Sequence, residues 1–171
     1  MPAIWGTLHR RTRWAVLPVG LCVAWFALVY GQRAYDRAIG HPTGDQRLSH
    51  AIINGNLHEL RTAIREGATI NPAPGEQLIP PLVAAAMEEN TELVKELLRH
   101  GADPNITAIG GCTAVHVAVQ RGQIANLRVL LEAGADPNRL TEANVTPLML
   151  ADRNAEAATL LIRYGARHLD E

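Results

Sequence analysis

A glycine-containing segment recurs through the last two thirds of this 171-residue chain. The four glycines, Gly67, Gly101, Gly134 and Gly165, are spaced 34, 33 and 31 residues apart. Each of the four is followed by an alanine. A nearly fixed period of this length predicts stacked supersecondary units, because one unit cannot bury its own apolar face and must share a core with its neighbours.

Each unit carries the pattern of two antiparallel helices. Ala51, Ala85 and Ala118 precede the first three glycines by 16 residues, and small side chains there allow two helices to approach closely. Apolar residues recur at helical spacing within 93–98 and 124–132. Gly101 and Gly134 follow these segments, where a left-handed residue commonly ends a helix. Leu97 and Leu130 are predicted to be buried between units, and Glu96 to be exposed.

A six-residue motif begins the third and fourth units. Residues 113–118 read Thr-Ala-Val-His-Val-Ala, and residues 146–151 read Thr-Pro-Leu-Met-Leu-Ala. Together with the period, these residues make the chain resemble the ankyrin repeat, whose consensus carries Thr-Pro-Leu-His-x-Ala at this point. The resemblance implies an all-α ankyrin-repeat solenoid of about four helix-turn-helix units within residues 45–168. The units are expected at residues 45–77, 78–110, 111–143 and 144–168.

The last unit is shorter than the others. Ala151 precedes Gly165 by only 14 residues, so two residues are missing from the pattern. This shortening predicts a C-terminal cap, which in repeat arrays carries a polar outer face. The expected polar outer residues are Arg163, Arg167, Asp170 and Glu171.

An uncharged apolar segment near the N-terminus predicts a membrane anchor. Residues 14–30 contain no charged side chain and would span about 26 Å as a helix, close to the roughly 30 Å thickness of a bilayer's hydrocarbon core. We interpret residues 14–32 as a transmembrane helix, residues 1–13 as a basic tail and residues 33–44 as a connector. A cleaved signal peptide is one alternative, although its apolar core is usually shorter and ends in small residues. A buried helix of a soluble protein is the other, and it would need a second core that the repeats do not offer.

Charge near the span indicates an orientation. Arg10, Arg11 and Arg13 precede the span, so the short tail is expected to stay cytoplasmic and the repeats to face the periplasm or exterior of a plasma membrane. The opposite orientation stays open because the difference in basic residues is small. Arginine accounts for 15 of the 16 basic residues, which favours a bacterial source. From residue 45 onward, 11 basic and 16 acidic residues give a net charge of −5, which argues against nucleic-acid binding.

The chain shows no pattern typical of an active site. Its seven histidines have no spacing of a zinc site, and Gly110 and Gly111 belong to no phosphate-binding motif. Ser49 has no nucleophile context. We therefore expect no metal, no cofactor and no enzymatic activity. The resemblance implies that His116 ties neighbouring turns together, and Cys112 is interpreted as a small, partly exposed thiol.

The resemblance also implies where a partner would bind. Ankyrin-like arrays use the inter-repeat turns and the exposed side of each first helix, which together form a concave strip. In this chain the strip comprises Ile53, Asn54, Glu76, Gln77, Ile79, Met87, Glu88, Ile109, Cys112, Gln120, Arg121, Glu142, Val145, Asp152 and Arg153.

These patterns favour two functions. The first is a membrane-anchored module that binds or positions a partner protein through the concave strip, with a monomeric repeat domain. The second is a secreted or periplasmic effector or protective factor that is released when the N-terminal segment is cleaved. The mass of the mature protein distinguishes the two, because only the second loses residues before about 31.

Overall fold

The computed structural model describes residues 44–73 and 77–167, and these form four helix pairs. The α-helices are α1 (Gly44–Ile53), α2 (Leu57–Arg65), α3 (Pro81–Ala85), α4 (Thr91–Arg99), α5 (Ala114–Arg121), α6 (Ile124–Glu132), α7 (Pro147–Leu150) and α8 (Ala155–Arg163), and a 3₁₀ helix (Ile109–Gly111) precedes α5. Each pair contains a first helix and a second helix that packs against it, and neighbouring pairs stack. The predicted all-helical solenoid of four units is therefore confirmed.

Asparagine caps three of the four second helices, and a left-handed glycine follows each of the four. The side chain of Asn90 accepts a hydrogen bond from Glu92 N–H at 3.1 Å, which caps the first turn of α4. Asn56 and Asn154 cap α2 and α8 in the same way. After α4, Gly101 has a φ of 84°, a left-handed conformation that a side chain would strain.

The core lies between the helix pairs, where the sequence places it. Ala51, Ala85 and Ala118 have no exposed surface, which confirms that small residues allow the helices to approach. Leu97 and Leu130 are likewise fully buried. A single apolar cluster runs from the first repeat to the fourth, so each repeat shares its core with the next.

Three asparagines join consecutive repeats through a ladder of side-chain amides. Asn105 donates to Gly134 O at 3.4 Å and accepts from Asp136 N–H at 2.7 Å. Asn71 makes the same two bonds to the second repeat, and Asn138 makes them to the fourth. Each amide satisfies a backbone donor and a backbone acceptor of the next repeat, which fixes the spacing of the stack.

In the first repeat, a side chain of that same repeat, Asp45, takes part in the equivalent hydrogen bond. Thr69 N–H lies at the position of Asp136 N–H, but it donates to Asp45 Oδ1 at 2.6 Å. Asp45 therefore accepts in the first repeat the hydrogen bond that Asn71 accepts from the second, although a carboxylate cannot donate the other bond. In this way the backbone donor is satisfied without an asparagine from a preceding unit.

His116 links the third and fourth repeats, as the resemblance implies. Its Nδ1 accepts from Thr113 N–H at 3.2 Å, so the proton resides on Nε2, which donates to Val145 O at 3.2 Å. The residue is only 1% exposed, and burial lowers the pKa of the imidazole. The neutral ring is thus the form that the fold requires.

The outer face of the last repeat is less polar than predicted. Arg163 and Arg167 are exposed as expected, and Asp170 and Glu171 lie outside the described residues. However, Met149 and Ile162 are 48% and 55% exposed. They occupy the positions that correspond to the buried His116 and Leu131 of the third repeat.

Glu96 is buried, although the sequence predicted that it would be exposed. The residue is 6% exposed, and its carboxylate accepts from Arg61 Nε at 2.8 Å, Arg61 Nη2 at 3.1 Å and Arg99 Nη1 at 3.2 Å. These hydrogen bonds, with Arg61 the main contributor, lower the pKa of Glu96 to about 2. The sequence prediction failed because Arg61 belongs to the preceding repeat.

Glu96→Gln should remove an acid-sensitive part of the stability. Because the folded pKa is depressed, the contribution is fully present above the ordinary carboxyl value of about 4.5 and is lost as the pH falls through about 2. We expect the variant to lose about 1 kcal/mol at pH 7, because both arginines are more than half exposed and water screens them. Urea unfolding between pH 7 and pH 2.5 measures the difference, which should shrink with acidity. A difference in unfolding free energy between wild type and variant that does not change with pH would contradict the depressed pKa of Glu96.

The predicted anchor at residues 14–32, the tail before it and most of the connector lie outside the described residues. Within 44–73 and 77–167, every helix is too short or too polar to cross a bilayer.

Candidate partner-binding surface

The residues of the predicted concave strip divide between the two ends of the first helices. Eight lie near the turn that joins the two helices of a repeat: Ile53, Asn54, Met87, Glu88, Gln120, Arg121, Asp152 and Arg153. Six lie in the loops between repeats: Gln77, Ile79, Ile109, Cys112, Glu142 and Val145. Glu76 is outside the described residues. The two sets therefore lie at opposite ends of the first helices α3, α5 and α7.

Five residues of the first set surround one groove, which we call the turn groove. It has a volume of about 600 Å³ and crosses the helix-joining turns of the first three repeats. The predicted residues at the groove are Ile53, Asn54, Met87, Glu88 and Arg121. Gly55, Glu89, Asn90 and Gln123 complete its lining. The structure thus brings together residues of three repeats, such as Ile53, Met87 and Arg121, which follow one another at intervals of 34 positions.

Side-chain amides hold the turns beneath the groove in register. Asn90 Nδ2 donates to Gly55 O at 3.3 Å, which joins the first turn to the second. Asn126 Nδ2 donates to Glu88 O at 2.7 Å, which joins the second turn to α6. Because these bonds fix the backbone of adjacent turns, the groove is preformed. A preformed surface loses less entropy when a ligand binds.

The groove combines apolar and charged groups. Ile53 is 40% exposed, and Met87 is half-buried against the core. Glu88 is half-buried, and this burial raises the pKa of its carboxyl group, whereas the nearby Arg121 guanidinium opposes the rise. Such an arrangement can hold an apolar side chain and pair with polar groups around it, as protein interfaces do.

The six predicted strip residues in the loops between repeats form a second surface. Backbone hydrogen bonds join neighbouring repeats there. Ile109 N–H donates to Leu78 O at 3.1 Å, and Glu142 N–H donates to Gly110 O at 2.9 Å. Ile109 is 53% exposed, in agreement with its predicted position. Ile79 is half-buried and packs against the core.

One prediction about the loops between repeats needs correction. Cys112 was expected to be partly exposed but is only 6% exposed, because it directly precedes the buried start of α5. It therefore offers little surface to a partner. Val145 accepts a hydrogen bond from His116 through its carbonyl and has a half-buried side chain, and its place on the partner surface stays a prediction.

Sequence reasoning missed part of the groove lining. Glu89, Asn90 and Gln123 follow the first helices, beyond the stretch assigned to the strip. A signal was present, since asparagine recurs just before the second helix at positions 56, 90 and 154. Leu78 and Leu140 were also missed, although both are more than 40% exposed in the inter-repeat loops.

Among residues 44–73 and 77–167, no three histidine, cysteine or acidic side chains come together as metal ligands would.

Comparison with known families supports the architecture. A family model described as "Ankyrin repeats (3 copies)" matches residues 48–141 and 82–170, well over half of the chain. The chain belongs to the ankyrin-repeat family. Ankyrin repeats generally mediate protein–protein interactions, and the family is typically non-enzymatic.

Three relatives illustrate the range of proteins that carry similar repeats. The human Ankyrin repeat and SOCS box protein 16 is 36% identical over 124 residues, which cover 71% of this chain and 27% of the relative. A Putative ankyrin repeat-containing protein of Treponema pallidum is 30% identical over 60% of this chain and 35% of its own length. Glycerophosphocholine phosphodiesterase gde1 of Schizosaccharomyces pombe is 34% identical over 67% of this chain but only 10% of the enzyme. This chain thus matches only a minor part of each relative.

Proposed function

We propose that this ankyrin-repeat chain binds a partner protein in the turn groove and holds it at a membrane. The observation that carries the proposal is the groove itself, which joins three repeats and is lined by five residues of the concave strip. No single repeat could form this surface. A partner that binds there contacts side chains of three repeats, so its binding depends on how the repeats stack as well as on those side chains.

The lining indicates the chemistry of the partner's segment. Ile53 and Met87 offer apolar contact, while the carboxylates of Glu88 and Glu89 outnumber the single guanidinium of Arg121. A complementary segment would present an apolar anchor flanked by a basic group for Glu88 and an acceptor for Arg121. A central apolar contact with a polar rim is the usual anatomy of a specific interface.

The N-terminal segment would supply the location. An anchor at residues 14–32 would keep the repeats within a short connector of the bilayer, most simply on the outer side of a bacterial plasma membrane. A partner in the same membrane then meets the groove at a raised effective concentration. Cleavage of the segment would instead release the repeats as a secreted or periplasmic factor, and the intact mass of the mature chain decides between the two.

The double variant Ile53→Asp with Arg121→Glu tests the groove. Both side chains are exposed, so the fold should keep its stability to within about 1 kcal/mol. Capture of the partner by the full-length chain from detergent-solubilised native membranes should fall at least tenfold, which corresponds to about 1.4 kcal/mol.

The matched control is Ile162→Asp with Arg139→Glu, which makes the same changes of charge at exposed positions outside the groove. It should capture the partner as the wild type does. Equal capture by the folded groove variant and the control would move the interface to another surface.

A further inference from the structure

Two arginines, one from the first repeat and one from the second, donate hydrogen bonds to the carboxylate of Glu96. Arg61 on α2 approaches Glu96 through Nε and Nη2, and Arg99 on α4 approaches it through Nη1 at 3.2 Å. His100 Nε2 lies 3.4 Å from the same carboxylate. We call this arrangement the arginine clasp. Planar guanidinium groups suit a carboxylate because they donate two parallel hydrogen bonds.

The repeat period places a second pair of arginines at the equivalent positions of the third and fourth repeats. Arg61 stands six residues before the glycine of its repeat, and Arg99 stands two before the next glycine. The same offsets from Gly134 and Gly165 give Arg128 and Arg163. Between the second and third repeats these offsets give Lys95 and Glu132, so no clasp is expected there.

The second pair of arginines has no glutamate at the position that corresponds to Glu96. Glu96 stands five residues before Gly101, and the residue five before Gly165 is Leu160. The two arginines are therefore kept, while the carboxylate between them is replaced by an apolar side chain. Tyr164 takes the position of His100 and supplies a hydroxyl donor in place of an imidazole.

A hollow lies where the carboxylate would be. It has a volume of about 380 Å³ and is lined by Arg128, Ala155, Glu156, Thr159, Leu160 and Arg163. Leu160 is only 5% exposed and forms an apolar floor, whereas both arginines are exposed. Neither Arg128 nor Arg163 forms an ion pair with another residue of the described chain.

We propose that this hollow binds a carboxylate side chain from an acidic peptide segment of a partner. The carboxylate would lie between Arg128 and Arg163 as that of Glu96 lies between Arg61 and Arg99. Its methylene stem would contact Ala155 and Leu160. Glu156 reduces the net charge of the lining to +1, which suits one carboxylate better than a phosphate dianion. The hollow lies on the second helices and is separate from the turn groove.

Nuclear magnetic resonance of the arginine Nε–H groups tests the proposal in the full-length chain in detergent micelles. The probes are a capped hexapeptide with glutamate at alternate positions, the same peptide with glutamine, and inorganic phosphate, all at constant ionic strength. The glutamate peptide should shift the Arg128 and Arg163 signals saturably, and the glutamine peptide should not. Arg128→Gln and Arg163→Gln should each weaken binding at least tenfold, whereas Arg139→Gln, on the exposed inter-repeat loop, should leave it unchanged.

Leu160→Glu provides a second test, because it restores the carboxylate that Glu96 supplies in the first clasp. The variant should lose peptide binding while it stays folded by circular dichroism. Leu160 is buried, so if this variant unfolds, the two exposed arginine variants carry the test. Equal shifts with both peptides, tighter binding of phosphate, or unchanged binding by Arg128→Gln would overturn the proposal. None of these outcomes depends on the turn groove.

Discussion

Leu97→Ala and Leu130→Ala should each lower the free energy of unfolding by about 2 to 5 kcal/mol. Both side chains have no exposed surface, so truncation removes buried methyl groups and leaves a cavity that the neighbouring helices fill only in part. Each leucine belongs to the apolar cluster that continues through all four repeats. The loss should therefore extend to adjacent repeats in a short array. Urea unfolding followed by helical circular dichroism measures it.

The matched control for these variants is Glu132→Ala, at an exposed position two residues from Leu130 on the same helix. Glu96 would be a poor control because the arginine clasp buries it. Glu132→Ala should change stability by about 0.5 kcal/mol or less. A leucine variant that unfolds at the same urea concentration as this control would show that the stack does not share its core as described.

Aspartates at Leu21 and Ala24 should prevent stable membrane insertion of the full chain. An aspartate at the centre of a transmembrane helix costs about 2.5 to 3.5 kcal/mol on insertion scales, and the pair would outweigh much of the apolar gain. Membrane fractionation after a salt wash should find the variant in the soluble fraction and the wild type in the pellet.

The control carries aspartates at His41 and Thr43, which lie in the connector outside the predicted span. It should pellet with membranes as the wild type does. Release of both variants, or of neither, would mean that residues 14–32 do not anchor the protein.

Much of the fold follows from the sequence because stacking imposes a period on it. The glycine that ends each second helix needs a left-handed conformation, and the alanine 16 residues earlier needs a close helix contact, so both recur at fixed spacing. The buried positions of Leu97 and Leu130 follow from the same register. The His116 bond between repeats was likewise implied by the motif that surrounds it.

Contacts between repeats are harder to predict, because they depend on two residues that are about one period apart. The exposure of Glu96 was predicted from its own helix, although Arg61 of the preceding repeat buries it. The turn groove has the same origin, since Asn90 and Asn126 position backbone groups of earlier turns. Reading each residue together with those 35 to 38 positions away would have identified these pairs.

Site-specific cross-linking tests the central claim most directly. A photoreactive amino acid at Asn54, which lines the turn groove, should cross-link the full-length chain to one partner protein in its native membrane. The same group at Glu132, which is exposed on α6 and lies outside the groove, should give no such product. The account predicts a single product that depends on the groove and disappears in the Ile53→Asp, Arg121→Glu background. A partner cross-linked from Glu132 and absent from Asn54 would contradict it.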